Sequence, residues 1–324
     1  MLLFSLVALY FGQDLLIYQN NFKHVYDRYP EDNPEGLRNP KEKNMNYEDI
    51  VVVTEDNLRL AGWFIRHDAD KTAPTIIYMH ETWGNIGYRL PWAENIYHNL
   101  GFNIVLVGYR GYGHSEGKPS EKGLEKDAKA IIEWTFNNKK INPLQVYCFG
   151  PVLGGAVSLY GAQLYMTKLK GVILENTFLN MAAMVDDTYW IFRTLRPIIL
   201  ANYWPSDKRI ENTTTPILFI SGTATDTNDD MHQLRDLAKK SIYTDFIEIP
   251  GGHKNDTWRV GGRNYLTSIE SFVVKTLPLV YTPLTGTNST SNSTVVLSTG
   301  STTNTTLSGT TVNVSTNTTT GTSK

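Results

Sequence analysis

The sequence is poor in cysteine and in basic charge. Cys148 is the single cysteine among 324 residues, so no intrachain disulfide can form and packing must supply the stability. The net charge is −2 at pH 7, and no basic stripe or stacking motif predicts a nucleic-acid partner. Cys148 stands in an apolar run, which favours a buried small hydrophobe over a reactive thiol. We find no internal repeat.

The start of the chain has no lysine or arginine before Lys23. Neither a signal-peptide n-region nor a positive-inside asymmetry can therefore be identified there. Residues 1–11 are almost wholly apolar, and apolar residues resume after Gln13 and Asp14. A full span needs ~20 mostly apolar residues. Residues 1–20 are interpreted as a membrane-anchor or signal-like segment, with a helix packed on the domain as the third alternative.

The other end of the chain changes composition near Pro283. Residues 281–324 are almost entirely Thr, Ser, Asn and Gly, and we predict a disordered tail. N-x-S/T triplets begin at Asn288, Asn292, Asn304, Asn313 and Asn317. With the apolar start, they predict a glycosylated protein of the secretory pathway, membrane-associated, with a luminal or extracellular domain. An unmodified polar tail is the alternative.

Residues 21–280 alternate apolar, strand-like runs with helical patterns. An expected antiparallel pair at 49–54 and 59–65 comes first, followed by repeated β-α units. This order predicts one α/β-hydrolase domain, with a mostly parallel sheet covered by helices on both faces. Residues 178–215 interrupt the alternation and are rich in aromatics. We expect them to form a short lid over the carboxyl ends of the strands.

The run Gly150-Pro151-Val152-Leu153-Gly154 lies between an apolar strand and a small-residue helix. It has the strand, turn and helix of a G-x-S-x-G nucleophile elbow, with Val152 where the chemistry needs serine. Valine has no hydroxyl with which to attack. A β-branched residue at positive φ is an outlier that costs about 1–3 kcal/mol, so we expect Val152 to have relaxed to negative φ.

Several ordered segments carry a resemblance to a known family. They are His80–Arg89, Tyr109–Gly117, Phe149–Val157, Glu175–Phe178, Ser221-Gly222 and Gly252–Trp258. Together they resemble the bud-emergence (BEM-type), membrane-anchored α/β hydrolases from about Leu15 to Val280. The resemblance implies the α/β-hydrolase fold and activity on acyl esters or thioesters.

The same resemblance implies site residues. Val152 takes the position of the nucleophile, Asp226 that of the acid and His253 that of the base. Glu81 and Leu153 take the two oxyanion-hole positions. Three departures weaken catalysis: Glu81 replaces glycine beside the oxyanion site, Asp226 stands one residue late, and an inserted Lys254 follows His253.

Other candidate sites are weaker. Ser158, Ser221 and Thr82 carry hydroxyls, but none stands at the strand-to-helix turn. Residues 226–237 imitate a calcium loop but have Met231 and Leu237 where glycine and a bidentate glutamate are needed. We therefore predict no metal site and no cofactor, and we expect His114 and His232 to be solvated.

The sequence predicts a catalytically inactive α/β-hydrolase relative, a pseudoenzyme that acts by binding. An acyl or lipid-like ligand in the remnant pocket is the expected partner, with a membrane at the amino terminus. Two alternatives stay open: a working serine hydrolase of acyl esters or thioesters, and a surface-displayed structural or adhesive protein.

Overall fold

The computed structural model describes residues 10, 12–20, 26–67, 71–183, 200–280 and 296–297. Its main sheet has eight strands in the order β1-β2-β4-β3-β5-β6-β7-β8. The strands are β1 Tyr47–Val53, β2 Arg59–Ile65, β3 Thr75–Tyr78, β4 Asn103–Val107, β5 Val146–Pro151, β6 Gly171–Glu175, β7 Ile217–Gly222 and β8 Thr244–Ile249. Two-residue strands β9 (Leu279–Val280) and β10 (Val296–Leu297) form a separate antiparallel pair.

The strand pairing confirms the predicted order. β1 pairs with β2 and β2 with β4 in antiparallel fashion, whereas β4, β3, β5, β6, β7 and β8 run parallel to their neighbours. The parallel strands are apolar along their length because helices cover both faces. The sheet is therefore the mostly parallel sheet expected of an α/β hydrolase.

Six α-helices are described between residues 90 and 276, and the described residues 12–17 and 181–183 are also helical. The six are α1 Leu90–Leu100, α2 Glu121–Asn137, α3 Leu153–Leu164, α4 Ser206–Ile210, α5 Asn228–Leu237 and α6 Thr257–Thr276. Helices α1 and α6 bury Trp92 and Phe272 against one face of the sheet. Helices α2 to α5 bury side chains such as Ile131 and Leu234 against the other face. This arrangement leaves the carboxyl ends of the strands as the edge at which a ligand can enter.

The described part of the amino-terminal segment packs on the domain. The Gln13 side-chain oxygen accepts hydrogen bonds from the backbone N–H groups of Ala201 and Asn202 at 2.9 and 3.2 Å. The Tyr18 hydroxyl donates to Asn202 Oδ1 at 2.7 Å and accepts from the Trp204 indole at 3.0 Å. Residues 13–18 thus contact residues 201–204 of the segment expected to be a lid, whose residues 184–199 lie outside the described residues.

The expectations about the two chain ends, an apolar anchor or signal at the start and a glycosylated tail, stay untested. In the described part of the chain, no helix has the length and apolar character needed to cross a bilayer. Residues 1–9 and nearly all of the tail, including Asn288, Asn292, Asn304, Asn313 and Asn317, lie outside the described residues. The anchor, the signal peptide and tail glycosylation therefore stay predictions.

Candidate functional site

The turn between β5 and α3 has the backbone of a nucleophile elbow. Val152 lies at its tip with φ 52° and ψ −111°. The expectation that Val152 had relaxed to negative φ is therefore wrong. A β-branched side chain at this angle carries strain of about 1–3 kcal/mol, which the surrounding structure must offset.

The neighbours of the elbow explain why it keeps this geometry. The Val152 N–H donates to the Glu175 carbonyl at 2.8 Å, and the Gly155 N–H donates to the Val152 carbonyl at 3.2 Å. The backbones are also in close contact: a Cβ on Gly150 would lie 2.1 Å from the Gly154 carbonyl, and one on Gly154 would lie 1.8 Å from the Met79 carbonyl oxygen. The packing of strand on helix imposes the turn whether or not its tip carries a nucleophile.

A buried histidine fixes the loop that follows β3. His80 Nε2 lies 3.0 Å from the Tyr109 N–H, which can only donate, so Nε2 accepts and Nδ1 carries the proton. Nδ1–H then donates to the Glu81 carbonyl at 2.7 Å. Burial, reinforced by Arg89, lowers the pKa of His80 to about 3, so the ring stays neutral. The backbone at the oxyanion-side position is held in place by this neutral imidazole.

The Glu81 side chain does not stand as an isolated negative charge. Its Oε2 lies 3.1 Å from Arg89 Nε, and the Arg89 and Glu81 side chains are only 2% and 10% exposed. Arg89 also donates to the Trp83 carbonyl and lies over the Trp83 ring, 3.9 Å from its centroid. Burial raises the pKa of Glu81 while Arg89 opposes the rise. Glu81 should therefore repel an oxyanion less than the sequence predicts, because the buried Arg89 compensates the charge of its carboxylate.

The loops after β7 and β8 bring Asp226 and His253 to the same end of the sheet without joining their side chains. Both Asp226 oxygens contact Lys254 Nζ, at 2.5 and 2.7 Å, and the Asp226 side chain is 73% exposed. The His253 backbone N–H donates to Asp256 Oδ1 at 2.7 Å. Within the described residues, the His253 ring has no hydrogen-bond partner. The inserted Lys254 forms an ion pair with Asp226, the carboxylate that the family resemblance assigns to His253 as its acid.

A cavity of about 330 Å³ opens beside the elbow, at the carboxyl ends of β3, β5 and β6. Pro151 and Phe149 line it from β5, Glu81 from the oxyanion-side loop, and Lys254 and Trp258 from the loop and helix after β8. Of the residues to which the sequence assigned site roles, Glu81 borders this space, whereas Val152, Leu153, Asp226 and His253 are not among its lining residues.

Sequence reasoning missed Glu175, the last residue of β6. Its side chain is buried, and its Oε2 accepts a hydrogen bond from the Tyr265 hydroxyl at 2.6 Å. Tyr265 in turn accepts from the Trp92 indole at 2.9 Å. Burial raises the pKa of Glu175 to about 8, with Glu81 and Asp256 adding to the rise. The only sequence signal for this carboxyl group is its place in the Glu175-Asn176-Thr177-Phe178 segment.

Comparison with known proteins agrees with this geometry. The chain is 32% identical over 253 residues to the alpha/beta hydrolase domain-containing protein WAV2 of Arabidopsis thaliana, covering 74% of this chain and 82% of that protein. It is 31% identical over 222 residues to protein bem46 of Schizosaccharomyces pombe, with 68% and 72% covered. The chain belongs to this α/β-hydrolase family. No family model matches the chain.

Another relative in the family is the uncharacterized membrane protein YNL320W of Saccharomyces cerevisiae, 30% identical over 281 residues that cover 85% of this chain and 96% of that protein. Among solved structures, the Vibrio vulnificus alpha-beta hydrolase superposes with a TM-score of 0.64 at 20% identity, over 83% of this chain and 92% of that one. The Pyrococcus furiosus esterase Pf2001 gives 0.59 at 19% identity, over 74% and 94%. At such identities the solved structures show the α/β-hydrolase fold.

Other candidate nucleophiles lie where the sequence placed them, away from the elbow tip. Ser158 and Ser221 are buried, and Cys148 is a buried free thiol whose pKa is raised by burial. His114 and His232 lie at the surface, each 2.9 Å from a glutamate. In the described residues, no group of three or more His, Cys, Asp or Glu side chains is arranged to hold a metal ion.

Two further N-x-T triplets were missed by the sequence reasoning. They start at Asn212 and Asn255, and both asparagines are exposed on the domain. Each is a single triplet within the domain, far from the dense run of triplets in the tail.

Proposed function

We propose that this protein is a non-catalytic α/β-hydrolase relative that acts by binding a ligand in the cavity beside the elbow. The observation that carries the proposal is Val152 at the tip of an elbow that keeps its backbone angle. A scaffold with this geometry would present a serine correctly, yet the side chain present has no nucleophilic atom. The ion pair between Lys254 and Asp226 supports the same proposal, because the Asp226 carboxylate then does not orient the His253 ring.

The rival function is hydrolysis of acyl esters or thioesters, and the fold is equally compatible with it. One solved structure of this fold is that of the Pyrococcus furiosus esterase Pf2001. A residual ~10³–10⁴-fold rate over water has been found to survive loss of a nucleophile where the oxyanion hole and the binding site remain. A structural or adhesive role would depend on the tail, which lies outside the described residues.

A serine-directed probe distinguishes the proposed function from its rival. Purified full-length protein incubated with a fluorophosphonate should show no stoichiometric label, since no hydroxyl stands at the elbow tip. Intact-mass spectrometry gives the readout, and a serine esterase of this fold serves as the positive control. One phosphonate per chain, at whatever residue, would establish a working nucleophile and overturn the proposal.

We also propose that the protein is membrane-associated, with the domain on the luminal or extracellular side. The apolar residues 1–11, the tail sequons and the relative named a membrane protein support this placement. The exposed Leu15 and Leu16, 75% and 65% accessible, extend the apolar character into the described residues.

Glycan mapping tests the side of the membrane. Protein isolated from a secreting eukaryotic host should lose apparent mass on endoglycosidase treatment. A variant with glutamine at Asn288, Asn292, Asn304, Asn313 and Asn317 should show a smaller loss, and any remainder would map to Asn212 or Asn255. Absence of a shift in the unaltered protein would place the domain on the cytosolic side.

A further inference from the structure

The cavity beside the elbow has mostly aromatic walls. Six of the rings that line it belong to Tyr26, Trp83, Tyr88, Trp92, Phe149 and Trp258. They come from the amino-terminal segment, the oxyanion-side loop, α1, β5 and α6, so the walls are assembled by the fold as a whole. Faces of aromatic rings attract cations as well as apolar groups.

The cavity is lined by three acids and three cations, but these groups are not all paired with one another. Glu81 is paired with Arg89, and Lys254 is paired with Asp226. This leaves two acids of the lining, Glu175 and Asp256, against Arg259, whose guanidinium lies 5.3 Å from the centroid of the Trp258 ring. Of these two acids, Glu175 is buried, whereas Asp256 is half-buried and accepts a hydrogen bond from the His253 N–H.

Glu175 is the carboxyl group without a cation. Its one described hydrogen bond comes from the neutral Tyr265 hydroxyl at 2.6 Å, and its other oxygen has no hydrogen-bond partner among the described residues. A buried carboxylate without a cation is strongly disfavoured and takes up a proton instead. A cationic ligand would supply the missing partner and would contact the aromatic walls at the same time.

We propose that the cavity binds a small organic cation, with an ammonium group against Glu175 and an apolar or aromatic body against the rings. This inference rests on the proposed function only in taking the cavity as the binding site. An acyl ester, the ligand class expected from the resemblance, would contact the rings and could accept a hydrogen bond from Glu175 only in its protonated form. A cation would contact the same rings and pair with the ionised form, so the two ligand classes are distinguished by the sign of their pH dependence.

Binding of a cation should be coupled to release of a proton. The titratable groups that act on Glu175 are Tyr265 on α6, Tyr78 on β3, Glu81 beside β3 and Asp256 before α6. Arg89 lines the same cavity and is paired with Glu81. The pKa of Glu175 is about 8, so at pH 7 the carboxyl is mostly protonated. Since the cation prefers the ionised form, affinity should rise about tenfold per pH unit below that pKa and level off above it.

Calorimetric titration of the full chain with benzyltrimethylammonium tests the proposal, because this probe does not itself titrate. We expect saturable binding that is at least about tenfold tighter at pH 8 than at pH 6.5. Titrations at pH 7 in two buffers of different ionisation enthalpy should report release of close to one proton. Benzyl alcohol and phenylacetate, the neutral and anionic comparators, should bind at least tenfold more weakly.

Two variants link the binding to the site. Glu175→Gln keeps an acceptor for Tyr265 but should abolish both tight binding and proton release, whereas Glu248→Gln, which changes an exposed carboxylate, should alter neither. Trp258→Ala should weaken binding several-fold without removing proton release, and circular dichroism would show that each variant is folded. Trp258→Ala provides the test of the site if Glu175→Gln does not fold.

Tighter binding of phenylacetate, binding without proton release, or unchanged binding by Glu175→Gln would each overturn the cation proposal. None of these results would bear on the nucleophile, so the non-catalytic proposal would stand. Conversely, phosphonate labelling would overturn the non-catalytic proposal and leave the measured cation affinity as it is.

Discussion

Replacing Glu81 with alanine is expected to lower the free energy of unfolding by about 3–5 kcal/mol, since removing one partner of a buried ion pair leaves the other charge uncompensated. The Arg89 side chain is 2% exposed and lies 3.1 Å from the Glu81 carboxylate. Its remaining described contacts, the Trp83 carbonyl and ring, do not neutralise its charge. Urea denaturation followed by circular dichroism would measure the loss.

The matched control is Glu48→Ala, which removes an exposed carboxylate 2.6 Å from Lys140. Exposed pairs contribute about 0–1 kcal/mol, so this change should have little effect. The double variant Glu81→Ala/Arg89→Met should recover most of the stability, because it removes the orphaned charge as well. A loss for Glu81→Ala no larger than the control's would mean that water reaches Arg89 and that the pair is not a buried one.

Much of the fold was predictable because its signals are local. The run at residues 103–107 is a buried strand, and α2 begins after Ser120, whose hydroxyl accepts from the Gly123 N–H at 3.2 Å. Helix α6 runs from Thr257 to Thr276 and contains two successive glycines. Gly261-Gly262 is typical of a helix end, yet the chain passes through a kink with Gly262 at φ 48° and continues. A kink of this kind is decided by packing and cannot be read from the glycines alone.

The site was predictable only where its parts are adjacent in sequence. The elbow lies within five residues, and the motif located Val152 at its tip. Its positive φ was missed because it depends on contacts with Met79, which follows β3, and with Glu175, the last residue of β6. The Glu175–Tyr265 hydrogen bond joins residues 90 positions apart, and the fold alone brings them together. Likewise, the insertion of Lys254 was visible, but its ion pair with Asp226 was not.

Restoring the serine alone should not restore hydrolysis. Val152→Ser would place a hydroxyl on an elbow that already has the required backbone angle. The base, His253, would still lack an orienting carboxylate, because both Asp226 oxygens contact Lys254. In a serine protease, disabling the orienting acid lowers kcat by about 10⁴-fold. We therefore expect no ester burst from Val152→Ser, as measured with a chromogenic acyl ester.

Adding Lys254→Ala to Val152→Ser should raise esterase activity by about 10²–10⁴-fold over Val152→Ser alone, because it frees Asp226 to orient the His253 ring. Lys254→Ala is preferable to deleting the residue, since the His253 backbone already bonds to Asp256 and Thr257 in the present loop. Glu81 is left in place so that Arg89 keeps its partner. The control, Val152→Ser with Lys240→Ala, removes a lysine whose described bond is to Asn212 and should behave like Val152→Ser. Robust hydrolysis by Val152→Ser alone would show that Lys254 does not disable the acid, and that one side chain separates this protein from a working hydrolase.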